Sequence, residues 1–339
     1  MQKILTIVIP TYNMQKYLHK CLDSLIVRPD LLNMLEVLVV NDGSKDNSSD
    51  IAHGYQYKYP DVFRVIDKEN GHYGSCLNRG LAEAKGKYIK VLDADDSYDT
   101  VEFEKLLNKL STIDVDLVLT AYNIVDEDGN TIGSGSQNIP EGEIFDFNMY
   151  PPYKLAYYAM YMVTYRTELL RGIGHRQTEG INYTDTEWQS CPQYAVKQFV
   201  YYPFFVYKYL KGREGQSLDD TVLIKNVWQL EIVLKTLVEN RKKYDVSKLP
   251  LADIHNVHQI KLNAITIYKI ILIRKKASKE DLCHLAQFDE YLKKSCREVW
   301  DDTEKLVVKK WMPIKYVKFW RRTGRVFPLH WLRKKNGNI

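Results

Sequence analysis

The chain has 339 residues, 45% of them hydrophobic and 27% charged, with a formal net charge of +5; this is an ordinary globular composition with room for one large core and an appendage. No stretch approaches the ~18 apolar residues of a membrane-spanning helix, and MQKILTIVIP carries no apolar export leader. The charge is lopsided: residues 305–339 hold 11 Lys or Arg and no acid, which leaves a mildly acidic body and asks for a partner of the tail.

In chain order, LTIVIP (5–10) reads as a strand, and Met14–Leu25 as a helix with Tyr17, Leu18, Cys21, Leu22 and Leu25 on one face. LEVLVVND (35–42) is a buried strand, followed by a cap-rich loop and a polar helix to about Tyr57. VFRVIDKE (62–69) is a third strand, with a helix around Ser75–Ala84, and KYIKVLDAD is a fourth. Helix Val101–Leu110, strand 116–125 and a hairpin turn at DEDGN (126–130) follow. This alternation predicts βαβ units around a mainly parallel sheet. From 218 to 300 the apolar spacing becomes helical, with Leu223, Val227, Leu230, Leu234 and Leu237, then Ile260, Ala264, Ile267 and Ile271, as core stripes of a helical appendage. The five cysteines are scattered and lack metal-ligand spacing, as expected of reduced thiols in a cytosolic protein.

The chemistry lies at the strand ends. The fourth strand stops in Asp93-Ala94-Asp95-Asp96, and acids so close repel unless a cation offsets them. Hard oxygen ligands suit Mg²⁺ or Mn²⁺. The alternative is a turn with an Asp cap for the helix near Thr100. Neighbouring strand ends carry Pro10-Thr11-Tyr12-Asn13, Asn41-Asp42-Gly43-Ser44 and Asn70-Gly71-His72-Tyr73-Gly74, and an open α/β sheet converges such ends on one crevice. Tyr12 offers a face for a base, and Asp42 an acceptor for a base N–H or a ribose hydroxyl. Gly71 and Gly74 allow backbone to approach phosphates. Each residue alone is explained by caps and turns; the coincidence at four ends favours a nucleotide. Neither G-x-G-x-x-G nor a phosphate-loop lysine motif follows any strand.

IVIPTYN, VVNDGS, Asn78 and Gly80 of LNRGLAEAKGKYI, and LDADD together resemble family 2 of the inverting nucleotide-sugar glycosyltransferases, over about residues 3–125. The resemblance implies a GT-A-type (Rossmann-like) fold: a mainly parallel sheet flanked by helices. It implies that Thr11, Tyr12 and Asp42 hold the base and ribose of a uridine diphosphate sugar, with Pro10 and Asn13 among the donor-binding residues. Asn78 would stand near the diphosphate, with Gly71 and Ala94 on the donor side. Asp93 would face ribose or sugar, and Asp95 would coordinate Mn²⁺ or Mg²⁺, with Asp93 as a second ligand. Many members carry arginine where this chain has Leu77.

The family's base motif falls on GINYTDTEW (180–188). Asp185 matches the base, with Glu187 as the fallback; a Thr184–Glu187 capping box would fit the same spacing. Arg213, in YLKGREGQSLD (209–219), is the candidate to neutralise a departing diphosphate, with His175 and Arg176 as further cations. The tyrosines of 150–170 are divided between acceptor site and core.

If Pro313 opens a helix, Lys315, Lys318, Arg321 and Arg322 share one arc, and Tyr316, Val317, Phe319 and Trp320 the rest. Phe327, Trp331, Lys334 and Lys335 continue that pattern. It is the pattern of a helix in an anionic membrane interface; the alternative is ordinary packing of the aromatics on the protein. The expectation is a catalytic domain over 1–217, with a nucleotide half 1–125 and an acceptor and base half 126–217. A helical appendage (218–304) and a basic aromatic tail (305–339) follow. Its expected activity is metal-dependent inverting transfer of one sugar to a saccharide hydroxyl, lipid-linked if the tail meets the cytoplasmic face of a membrane, with no nucleic-acid partner. A non-catalytic sugar-nucleotide-binding module and a sugar-phosphate nucleotidyltransferase are the rivals.

Overall fold

Two runs rich in Ile, Val and Leu set the centre of the sheet. β1 (Leu5–Thr11) and β2 (Leu35–Asn41) are buried along almost their whole length, as strands are when helices cover both faces of a parallel sheet. β3 (Phe63–Asp67) joins β2, and β4 (Tyr88–Val91) joins β1, giving the parallel order β3-β2-β1-β4. Helices Gln15–Asp23, Ser48–Lys58 and His72–Glu83 make the crossovers. In the first of these, Leu18, Cys21 and Leu22 form the buried stripe. The computed structural model describes residues 3–213, 220–307 and 314–326.

After β4 the chain forms β5 (Ser97–Tyr98) and helix Thr100–Leu110. The cap of that helix is Asp99, whose carboxylate accepts from the Glu102 N–H at 3.1 Å. The acidic run at 93–96 is therefore not the helix cap. β6 (Leu117–Val125) turns at 126–130 into β7 (Thr131–Gly135). Gly129 sits in that turn at φ 86°, where a side chain would be strained. β8 (Ile144–Asp146), β9 (Val163–Arg166) and β10 (Gln198–Leu210) complete the sheet.

β9 runs antiparallel between β4 and β6, and β10 lies parallel to β6. β10 has no counterpart among the elements predicted from the sequence. Exposed Pro203 interrupts its aromatic run, and its register against β6 shifts between Tyr202 and Phe205, as a proline forces within a ladder. The core beneath this face joins Ile7, Ile9, Leu22, Val37, Tyr88, Leu107 and Tyr207.

The chain divides into two compact units, Met1–Glu214 with Val246–Ala252, and Gly215–Asp245 with Asp253–Ile339. The second unit is helical: Val227–Arg241, the part of Pro250–Lys269 from Asp253 onward, which runs into a π-helical turn, Lys279–Ser295, Arg297–Thr303 and Tyr316–Thr323. Val227, Leu230, Leu234, Leu237, Ile260, Ala264, Ile267 and Ile271 are buried as their spacing predicts, while Leu223 is half-buried. No described helix is long and apolar enough to cross a membrane.

Within the tail, helix Tyr316–Thr323 packs part of its apolar arc on protein: Tyr316, Val317 and Trp320 are buried. Arg321 donates to Asp289 (2.8 Å), the Trp300 carbonyl (3.1 Å) and Thr303 (2.9 Å), and stacks on Trp300 at 3.9 Å. Lys318 pairs with Glu304 at 3.7 Å. Pro313, Phe327, Trp331, Lys334 and Lys335 lie outside the described residues.

Candidate active site

Three backbone positions mark the site. Among the described residues, Asn13, His72 and Tyr183 are the non-glycine residues with positive φ, at 54°, 63° and 67°. Asn13 follows β1, His72 opens the helix after β3, and Tyr183 stands two residues before Asp185. Backbone strain persists only where the surroundings hold it, and it gathers at working sites.

At the end of β1, Thr11 is buried with its hydroxyl on the Ile9 carbonyl (3.1 Å), while the Tyr12 ring is 45% exposed and open to a planar ligand. Asn13 donates its N–H to Ser44 (3.0 Å) and accepts from the Lys45 N–H (2.7 Å), so it ties the β1 loop to the β2 loop. Pro10 lies within β1, opposite Val40 of β2.

Asp42 follows β2 and is nearly fully buried. Its Oδ1 accepts from Lys68 Nζ (2.5 Å) and the Gly71 N–H (2.9 Å), and its own N–H donates to the Thr11 carbonyl (2.8 Å). Lys68 is also bonded to Ser75 (2.9 Å) and the Glu69 carbonyl (2.6 Å). This half-buried lysine pairs with Asp42 and ties it to the Gly71–Ser75 turn; no strand-end motif in the sequence points to it.

The acidic run separates into three environments. Asp96 is buried, with one oxygen on Tyr207 Oη (2.7 Å) and the other on the Leu210 N–H (2.6 Å). It orients the loop by tying it to β10. Asp93 accepts from Tyr73 Oη at 2.7 Å, and its N–H donates to Tyr207 Oη at 3.1 Å. Loss of water around it, then the charges of Asp95 and Asp185, push the Asp93 carboxyl up to about 7. Asp95 is ion-paired with Arg213 Nε, both side chains being largely buried. Ala94 between them is buried.

Asp185 opens helix Asp185–Ser190 and is exposed, yet enough protein surrounds it that desolvation raises its carboxyl. Its charge is felt by Asp93, Tyr73 and Tyr209. Glu187 is 0% exposed; its two oxygens accept from the Thr178 N–H and Thr178 Oγ1, both at 2.8 Å. The expected capping box does not form, because Thr184 makes no side-chain cap bond and Glu187 reaches back to Thr178. Glu187 holds the segment that leads to Asp185. Asn78 holds the same segment: its Nδ2 donates to the Gln177 carbonyl (3.0 Å) and Glu179 (2.8 Å), and its Oδ1 accepts from the Gln177 N–H (2.8 Å). Gly74 completes the clamp, for a Cβ there would stand 2.1 Å from the Thr178 carbonyl oxygen.

Arg213 also lies over the Tyr17 ring at 5.6 Å, next to Gly212 at φ 101°. His175 packs edge-on to Trp188, and Arg176 pairs with Glu179. Leu77, where an arginine is usual, is fully buried. The tyrosine stretch splits: Tyr150, Tyr158 and Tyr165 are buried, while Tyr153 is 86% exposed and Tyr157 half-exposed. Residues 214–219 lie outside the described residues.

No group of three or more His, Cys, Asp or Glu able to hold a metal occurs among the described residues. The donor chemistry still fits a magnesium-type ion, which takes one or two carboxylates and completes its shell with water and substrate phosphate. Burial first, and then the charge of Asp95, raises Asp93, and a divalent ion would offset the second of these.

Against known proteins, residues 6–174 match the family described as Glycosyl transferase family 2. Two relatives are glycosyltransferases described as uncharacterized. One, from Mycoplasma pneumoniae (strain ATCC 29342 / M129 / Subtype 1), is 39% identical over 105 residues, 30% of this chain and 35% of that protein. The other, EpsJ of Bacillus subtilis (strain 168), is 33% identical over 115 residues, 34% of this chain and 33% of that protein. The matched stretch thus spans about a third of these relatives' length. Among solved structures, S. aureus TarS 1-349 in complex with UDP-GlcNAc aligns with a TM-score of 0.65 at 16% identity, over 94% of this chain and 87% of that one. The mannosyltransferase PcManGT from Pyrobaculum calidifontis, in complex with GDP-Man and Mn²⁺, aligns with a TM-score of 0.51 at 14% identity, over 86% of this chain and 81% of that one. The chain therefore has the GT-A glycosyltransferase fold, with additional C-terminal helices.

Proposed function

We propose that this chain, through its family 2 domain, is an inverting glycosyltransferase that moves one sugar from a uridine diphosphate sugar to a saccharide hydroxyl. The observation that carries the reading is the charge arrangement: Asp42 paired with Lys68, Asp95 beside Arg213, and a raised Asp185 whose field reaches Asp93. One group can accept a base N–H, one can serve the diphosphate side, and one can take a proton. A carboxyl raised above its ordinary value is a stronger base than an ordinary aspartate.

In this reading Tyr12 stacks the base, Thr11 and Asn13 keep the loop in place, and Asp42 accepts from the base. Asp93 accepts a hydroxyl of the ribose or sugar. Asp185 takes the proton of the acceptor hydroxyl as its oxygen attacks C1 from the face opposite the diphosphate. The new C1–O bond forms, the C1–O(phosphate) bond breaks, and its electron pair leaves with the diphosphate. Arg213 pairs with the charge that develops there. Asp95 would hold Mn²⁺ or Mg²⁺, and such an ion would supply charge neutralisation at the leaving phosphates. The structural neighbours solved with UDP-GlcNAc and with GDP-Man and Mn²⁺ support a nucleotide-sugar donor and a metal.

Exposed Tyr153 and Tyr157 support a sugar-ring acceptor. A lipid-linked acceptor in surface polysaccharide or glycoconjugate synthesis, reached from the cytoplasmic face of a membrane, rests only on the cations of 305–339. Calorimetric titration of UDP with and without Mn²⁺ tests the donor site. Binding should tighten at least about tenfold with the metal; equal affinity in both buffers would count against the assignment of Asp95.

A further inference from the structure

Tyr73 belongs to no motif that the family resemblance covers, yet it bonds the donor carboxylate Asp93 and feels the charge of Asp185. Its hydroxyl has one proton and donates it to Asp93 Oδ1 at 2.7 Å; the same oxygen touches Met160 Sδ at 3.4 Å. The residue is anchored on both sides. Before it, the Gly71 N–H is bonded to Asp42 and His72 is held at φ 63°. After it, Gly74 presses against the Thr178 carbonyl. The Asp93 backbone is fixed as well, because its N–H donates to Tyr207 Oη, which in turn donates to Asp96. What remains adjustable in Asp93 is the rotation of its carboxylate, and Tyr73 sets it. Among the described residues, nothing donates to Asp93 Oδ2.

We propose that Tyr73 is a positioning residue for sugar transfer: by occupying Oδ1 it leaves Asp93 a single oxygen for one hydroxyl of the donor. The inference rests on the nucleotide-sugar reading above and deepens it. A carboxylate flanked by Asp95 and Asp185 would otherwise turn away from their repulsion, and the donor hydroxyl would lose its acceptor. With Tyr73 in place, the donor meets one acceptor at one orientation, as a preorganised site requires.

The test is Tyr73→Phe, which keeps the ring and removes only the hydroxyl, compared with Asp93→Asn and the double variant. Calorimetry measures binding of intact UDP-sugar with Mn²⁺, and steady-state assays measure KM and kcat. The expected result is a donor KM raised about tenfold, the size of one lost hydrogen bond to a charged group, with kcat at saturating donor and Tm close to wild type. Donor affinity in the double variant should equal that of Asp93→Asn alone, because the hydroxyl acts only through Asp93. An unchanged KM, or the same loss in both backgrounds, overturns the role of Tyr73 while leaving the donor site standing. A wild-type protein that binds no nucleotide sugar overturns the donor reading and this inference with it.

Discussion

Gly74→Ala isolates the clamp on the base segment from the donor site. A Cβ at this position would lie 2.1 Å from the Thr178 carbonyl oxygen, 3.0 Å from its carbon and 3.1 Å from Gln177 Cβ. Backbone is the obstacle, so no rotamer change relieves it, and Thr178 must retreat by about 1 Å to reach ordinary contact. Thr178 hangs from Glu187 at 2.8 Å and Gln177 from Asn78 at 2.8 Å, so that retreat stretches both bonds past useful length. Overpacking of this kind costs about 1–3 kcal/mol, partly offset by the better helix propensity of alanine, about 1 kcal/mol. The fold should survive with Tm lower by a few degrees. Catalysis should suffer more, because a displacement of about 1 Å at a reacting group can cost about 100-fold. The expected outcome is kcat down about 100-fold with UDP affinity in Mn²⁺ retained within about threefold. Full activity would refute the clamp; loss of UDP binding in parallel with kcat would show that the change acts on the donor side.

Asp185→Asn should lower kcat by about 10²–10⁴-fold, the usual contribution of a general base, while donor binding in calorimetry stays near wild type; an active variant would remove Asp185 from the role. Arg213→Met should bind Mn²⁺ alone more tightly, since it removes the cation now paired with Asp95, and should bind UDP more weakly; electron paramagnetic resonance of free Mn²⁺ reads the first effect, and an unchanged metal affinity would show that the pair does not compete. Buried Lys90 donates to the carbonyls of Tyr161 (2.8 Å) and Val163 (3.2 Å), and burial pulls its pKa down to about 7. Below pH 7 both native and unfolded chains carry its proton, whereas between 7 and 10.5 the unfolded chain binds more, so this lysine makes stability rise with pH. Relative to Lys90→Met, the wild type should gain up to about 2.5 kcal/mol between pH 6 and 9 in urea unfolding; parallel pH curves would contradict the burial argument.

The order β3-β2-β1-β4 was legible because β1 and β2 are almost unbroken apolar runs bounded by polar strand ends. β10 was not, because Pro203 divides its aromatic run and reads as a strand breaker until the bulge at Tyr202–Phe205 absorbs it. β9 is too short, four residues, for periodicity to separate it from the tyrosines around it. At the site, the carboxylates announced themselves by spacing, whereas their partners did not. Lys68, Tyr73, Gly74 and Tyr207 act across long sequence separations, and only the fold brings them to Asp42, Asp93, Thr178 and Asp96. The tail shows the reverse limit. A cationic arc opposite aromatics describes a membrane helix and a packed helix equally well, and the distinguishing groups, Asp289, Trp300 and Thr303, lie elsewhere in the chain.

The central claim is sugar transfer with inversion at C1, and product stereochemistry tests it most directly. The protein is incubated with Mn²⁺, a panel of UDP-sugars and a saccharide acceptor, and the new linkage is read by the anomeric proton coupling in NMR. The account predicts one donor consumed, UDP released, and a β linkage from an α-linked donor. A product that retains the donor's anomeric configuration, or a panel in which no nucleotide sugar turns over, would contradict it.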